Sequence, residues 1–132
     1  MNIAIITGAS SGLGAEFARA VAERYKNLDE IWVIARRTEK LQSLADEMPE
    51  AHIRPVSMDL IDRESFRELK NLLADQKAVI RVLVNNAGYC ACGRFDEMED
   101  CAIQKMIDLN ITALTAVNKV CFPYMKGKGY VV

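Results

Sequence analysis

The sequence is poor in the residues that most often carry metal or disulfide chemistry. It has one histidine, His52, and four cysteines, Cys90, Cys92, Cys101 and Cys121. There is no Cys-x-x-Cys pair, so the paired knuckles of a structural zinc site are missing and no metal site is read. The cysteines crowd late in the chain without a repeating pattern, which suits free thiols better than a disulfide framework. No apolar run approaches the ~20 residues of a membrane-spanning helix. The first one, Ile3 to Ile6, lacks the basic leader of a signal peptide. Charge of one sign is also missing: 17 Lys and Arg against 18 Asp and Glu leave a net charge of −1. That balance gives no electrostatic reason to expect nucleic acid or a membrane surface as partner. A cytoplasmic chain is expected. Its 132 residues, 51% hydrophobic, are enough for one domain with a core of its own, spanning 1–132.

What is present is an alternation of short apolar runs and helical patterns. Residues 2–6, 31–35, 53–57 and 79–84 read as strands, and 130–132 as the start of a fifth. Between them, Leu13, Phe17 and Val21 recur at helical spacing, as do Leu41, Leu44 and Met48, and Phe66, Leu69 and Leu73. Thr38 and Asp62 are the expected caps of the second and third helices. From about residue 99 to 125 the pattern is helical again, with room for a break. Strands alternating with helices imply parallel βαβ units. Right-handed crossovers then give an α/β, Rossmann-like doubly wound parallel sheet of strand order 3-2-1-4-5, ending at its fifth strand.

The turn after the first strand is Thr7-Gly8-Ala9-Ser10-Ser11-Gly12-Leu13-Gly14. Glycines there permit a tight turn and close approach of a phosphate, and the following helix offers free N–H groups and a positive dipole end. No Gly-Lys-Ser/Thr follows, so this is not a Walker A loop. The position selects a dinucleotide site, with a purely structural turn as the alternative. An acidic residue about 20 positions on would bond the ribose 2′-hydroxyl of NAD. This chain has Ala35 there, then Arg36 and Arg37. Two guanidiniums and no carboxylate suit a 2′-phosphate, hence NADP(H) in preference to NAD(H). Two solvated arginines opening a helix are the alternative.

These residues resemble the short-chain dehydrogenase/reductase family along the whole chain. Thr7-Gly8-x-x-x-Gly12-x-Gly14 is similar to its cofactor motif, and Asp59-Leu60 to its adenine-contacting pair. Asn85-Asn86-Ala87-Gly88 resembles its most distinctive marker before the active site, and Asn110 the asparagine of its catalytic tetrad. The resemblance implies cofactor contacts at Gly8, Ser10, Ser11, Gly12, Leu13, Gly14, Arg36, Arg37, Asp59, Leu60, Asn86, Ala87 and Gly88. It implies that Asn110 helps hold a water linking a catalytic lysine to solvent. It also implies hydride transfer between NADP(H) and a carbonyl or hydroxyl substrate.

The family's serine, tyrosine and lysine follow the fifth strand, and no residue here takes those roles. Tyr124 and Lys128 satisfy Tyr-x-x-x-Lys, but they precede that strand, and Pro123, Gly127 and Gly129 oppose a helix joining them. The chain alone is therefore expected to bind cofactor without turning over substrate. A non-catalytic dinucleotide-binding or sensing module is the competing reading. A third, a methyltransferase-like domain binding S-adenosylmethionine, fits the paired arginines and the Asn-Asn-Ala-Gly segment less well. The stripe of Ile103, Met106, Ile107, Ile111, Leu114, Val117, Val120 and Phe122 is wider than one packing face needs. It points to a homo-oligomer formed through residues 99–125, or through the edge of the sheet.

Overall fold

The computed structural model describes residues 1–125, 127 and 129–132. Strand β1 (Asn2–Thr7) leads through the glycine turn into helix α1 (Gly12–Arg24), and β2 (Glu30–Ala35) into α2 (Thr38–Glu47). A 3-10 turn at Pro49–Ala51 precedes β3 (Ile53–Ser57), followed by α3 (Glu64–Asp75) and β4 (Val79–Val84). Then come α4 (Asp100–Ile107), a π-helical stretch at Asp108–Ala113, α5 (Leu114–Cys121) and β5 (Tyr130–Val131). The sheet has the order β3-β2-β1-β4-β5, and all its pairs are parallel, as the βαβ pattern requires.

Alternation along the strands divides the core in two. Ile3 and Ile5 of β1 join Trp32, Ile34, Leu69, Leu73 and Val117 on one face. Ala4 and Ile6 join Val33, Ala18, Val21, Leu41 and Leu44 on the other. Ile3, Ile5 and Ile6 are wholly buried, each contributing about 1.5–3 kcal/mol relative to exposure. In β4 a register shift opposite Ile3 and Ala4 leaves Arg81 as an extra residue. The phase of the strand flips there: Ile80 and Leu83 face the first cluster, Val82 and Val84 the second. Arg81 Nε donates to Asn2 Oδ1 at 2.8 Å, which gives the bulged side chain a polar partner at the β1 start.

Two local expectations are corrected. Thr38 does not cap α2; it is the first helical residue, and Arg37 holds the cap position with extended backbone and its carbonyl accepting from Lys40 and Leu41 N–H. Leu13 does not pack with Phe17 and Val21. It is 64% exposed, because Gly14, Ala15, Ala18 and Val21 form the face of α1 turned to the sheet. The helical pattern after residue 99 carries the break the sequence left room for: it widens by one π turn centred near Asn110 before resuming as α5. At α3 Arg63 holds the cap position, and Asp62, one residue earlier than that, reaches the first turn with its Oδ1 accepting from Glu64 N–H at 3.0 Å. Among the described residues no helix is long and apolar enough to cross a membrane.

Candidate dinucleotide cleft

Parallel strands end together at one edge of the sheet, and β1 and β4 end side by side. Thr7, the last residue of β1, is buried, and its hydroxyl ties the two ends. Thr7 Oγ1 donates to Val84 O at 3.3 Å and accepts from the N–H groups of Asn86 and Ala87, each at 3.0 Å. Asn86 Nδ2 donates to Gly8 O at 3.1 Å, a second tie between the same loops. Gly8 (φ +68°) and Gly12 (φ +57°) lie in the left-handed region, which a glycine enters without steric cost. Gly14 is needed for space instead: a Cβ there would lie 2.5 Å from Asn86 Nδ2 and closer still to Gly8 O. The glycines therefore serve two purposes, chain direction at Gly8 and Gly12 and close packing at Gly14.

A cleft of about 340 Å³ opens above these strand ends. It is lined by Gly8, Ser10, Ser11, Arg36, Arg37, Asp59, Leu60, Asn86, Ala87 and Gly88, a set drawn from the four loops that follow β1, β2, β3 and β4. Arg37 Nη2 donates to both Ser10 Oγ and Ser11 Oγ at 3.0 Å, so the guanidinium after β2 lies against the glycine turn after β1. Arg36 is exposed beside it. At the far end, Asp59 Oδ1 accepts from Ile61 N–H at 3.1 Å, and Ser65 Oγ donates to Asp59 O at 2.7 Å, so this loop is held by its own turn. Leu60 is buried beneath it.

Four residues singled out in the sequence lie outside the lining. Gly12 borders an adjoining groove with Ser10 and Ser11, Gly14 is packed beneath the turn, and Leu13 points to solvent. Asn110 is exposed, and its amide faces the backbone of Tyr89: Tyr89 N–H donates to Asn110 Oδ1 and Asn110 Nδ2 to Tyr89 O, both at 2.8 Å. Through Tyr89 it fixes the segment that leaves the Asn-Asn-Ala-Gly turn. Tyr124 stands in a 3-10 turn before β5, its hydroxyl donating to Lys70 O at 3.5 Å, while Lys128 lies outside the described residues.

Sequence reasoning did not anticipate Tyr89, Lys105 and Leu109 in the cleft. Lys105 Nζ lies 4.4 Å from the Tyr89 ring centroid, a cation–π contact that brings a third cation to the lining. The available signal was spacing: Lys105 and Leu109 are four apart and share a helical face.

The family model for short chain dehydrogenase matches residues 2–132. Oxidoreductase UcpA of Salmonella typhimurium is 33% identical over 124 residues, covering 92% of this chain and 46% of that protein. The chain thus spans about half the length of the curated relatives it matches. A short-chain dehydrogenase structure from Streptomyces avermitilis superposes with a TM-score of 0.85 at 30% identity, over 98% of this chain and 47% of that one. An alcohol dehydrogenase from the archaeon Thermococcus sibiricus, complexed with 5-hydroxy-NADP, gives 0.84 at 27% identity, over 99% of this chain and 56% of that one. With a parallel sheet ordered 3-2-1-4-5 and a glycine turn seated on the Asn-Asn-Ala-Gly segment, the chain belongs to the short-chain dehydrogenase family.

Proposed function

We propose that this chain is the dinucleotide-binding portion of an NADP(H)-preferring oxidoreductase acting on a carbonyl or hydroxyl substrate. The observation that carries the preference is the Arg37 guanidinium at 3.0 Å from both Ser10 and Ser11 hydroxyls. It presents fixed positive charge where β2 ends without a carboxylate, and Arg36 adds a second. The cleft fits the group in its donors: serine hydroxyls, two guanidiniums and the N-terminal end of α1 suit phosphate. Gly8, Ser10, Ser11, Gly12, Leu13 and Gly14 would carry the pyrophosphate side, and Arg36 and Arg37 the 2′-phosphate. Asp59 and Leu60 would border the adenine, and Asn86, Ala87 and Gly88 the path toward the nicotinamide. The bound cofactor supplies a hydride to a carbonyl carbon, or takes one from a carbinol carbon.

Asn110 acts in this reading as a positioning residue through Tyr89. The NADP derivative held by the Thermococcus sibiricus enzyme supports the cofactor class. Self-association of a cytoplasmic protein through α4 and α5 belongs to the same reading, since Ile107, Ile111 and Leu114 leave 42%, 61% and 41% of their surface exposed along that face.

Calorimetric titration of NADPH and NADH into the purified chain tests the binding claim. Saturable binding, tighter for NADPH, is expected, and absence of binding by either would sink it. A non-catalytic sensing module would also bind. Reductase activity on joining the chain to the C-terminal half of a family member separates the two, because only the enzyme reading predicts turnover.

A further inference from the structure

Lys105 enters the cleft from α4, whereas Arg36 and Arg37 enter it from the loop after β2. Its ammonium lies 4.4 Å from the Tyr89 ring centroid, and both residues are half-buried. Among the described residues no carboxylate pairs with it and no hydrogen bond occupies its N–H groups. Asp108, nearly one turn on, already accepts from Gln104 Nε2 at 2.9 Å. Arg19, Arg54, Arg67 and Arg94 lie against carboxylates. The three cations of the cleft do not, and Asp59, the one carboxylate among the described lining residues, already accepts from Ile61 N–H. The cleft therefore carries uncompensated positive charge from two separate elements.

The Tyr89 ring is a fixed platform for that ammonium. The Asn110 amide holds both backbone polar groups of Tyr89, and two residues on Ala91 N–H donates to Met106 Sδ at 3.4 Å. The segment is thus tied to the helix turn that carries Lys105. The negative face of the ring attracts the ammonium and keeps it at the cleft wall. The cleft's 340 Å³ is the volume of a sphere roughly 9 Å across, close to the Debye length of about 8 Å at physiological ionic strength. An anion anywhere in the cleft therefore feels a charge on its wall.

We propose that Lys105, held against the Tyr89 ring, is an affinity residue for the phosphates of the dinucleotide, acting on NADH as well as NADPH; this rests on the dinucleotide reading of the cleft. Its role differs from that of Arg36 and Arg37. Those two face a 2′-phosphate that only NADPH carries. Lys105 stands on another element, and the pyrophosphate it attracts is common to both nucleotides. Tyr89 acts through Lys105: its ring sets where the ammonium sits. Because the Asn110 clamp grips the Tyr89 backbone, replacing the Tyr89 side chain leaves the clamp in place.

The test is calorimetric titration of NADPH and of NADH into the natural chain and its variants, at low salt and at about 0.5 M salt. Lys105→Met keeps an apolar stem without the charge. It is expected to weaken both nucleotides about three- to tenfold at low salt, a deficit that shrinks below about twofold once charge is screened. Lys105→Arg keeps the charge and the ring contact, and is expected to stay within about twofold of the natural affinity. Tyr89→Leu is expected to weaken both nucleotides, and to add nothing to Lys105→Met when the two are combined. A natural chain that binds neither nucleotide overturns the dinucleotide reading and this proposal together. With natural binding intact, full affinity in Lys105→Met, a loss confined to NADPH, a deficit that persists in salt, or additive losses at Tyr89 and Lys105 overturns this proposal alone.

Discussion

Thr7 and Ala87 stand 80 residues apart in sequence, yet the Thr7 hydroxyl accepts the Ala87 N–H at 3.0 Å while also accepting from Asn86 and donating to Val84. One buried oxygen thus joins the glycine turn to the Asn-Asn-Ala-Gly turn. Among the described residues no buried side-chain nitrogen or oxygen lacks a partner, so this satisfaction is complete. Thr7→Val keeps the shape and removes the acceptor. It is expected to lower stability by about 1–3 kcal/mol because amide groups lose their partner away from water. Thr7→Ser keeps the hydroxyl and is expected to retain most of that. Urea unfolding of the three proteins is the check.

Gly12 and Gly14 are expected to fail differently. Gly12 has open space but φ +57°, so Gly12→Ala costs about 1–2 kcal/mol in backbone strain. Gly12→Asn recovers part of it, since asparagine tolerates that conformation. Gly14→Ala drives a Cβ against Gly8 O and Asn86 Nδ2, and costs about 1–3 kcal/mol or more by overpacking. Gly14→Asn is worse still. Thermal melts of the four variants separate strain from crowding.

Burial pushes the Cys121 thiol up to about 12 from its ordinary value of 9.0. Between those values the folded chain keeps a proton that the unfolded chain loses. The contribution is therefore full below about pH 9 and falls as pH rises toward 12. The difference in Tm between the natural chain and Cys121→Ala is expected to narrow across that range. A constant difference would contradict it.

The exposed apolar face of α4 and α5 predicts concentration-dependent association. Ile111→Glu, at the most exposed of its three positions, is expected to shift light scattering toward the monomer mass. A natural chain that stays monomeric at millimolar concentration would remove the basis for that part of the proposal.

The fold was largely legible because buried parallel strands are continuous apolar runs, and β1, with Ile3, Ile5 and Ile6 wholly buried, is such a run. Arg81 was the only sign of the bulge in β4, and a lone arginine does not reveal a phase change. The π turn at Asp108–Ala113 was legible only as room for a break: its residues include no proline or glycine, and one added residue per turn shows only in the hydrogen bonds. Within the cleft, the glycines and arginines could be read from spacing. The contact of Arg37 with Ser10 and Ser11 could not, because it joins loops after two different strands. Tyr89 and Lys105 were missed for the same cause.

The central claim is that Arg36 and Arg37 read a 2′-phosphate. Its most direct test is the ratio of NADH to NADPH dissociation constants in the natural chain and in an Arg36→Ala, Arg37→Ala double variant. Loss of two charge-assisted contacts at about 1.5 kcal/mol or more each predicts a fall in NADPH affinity of at least about a hundredfold with NADH unchanged, bringing the ratio near one. A natural chain that prefers NADH, or a ratio that survives removal of both arginines, would contradict the account.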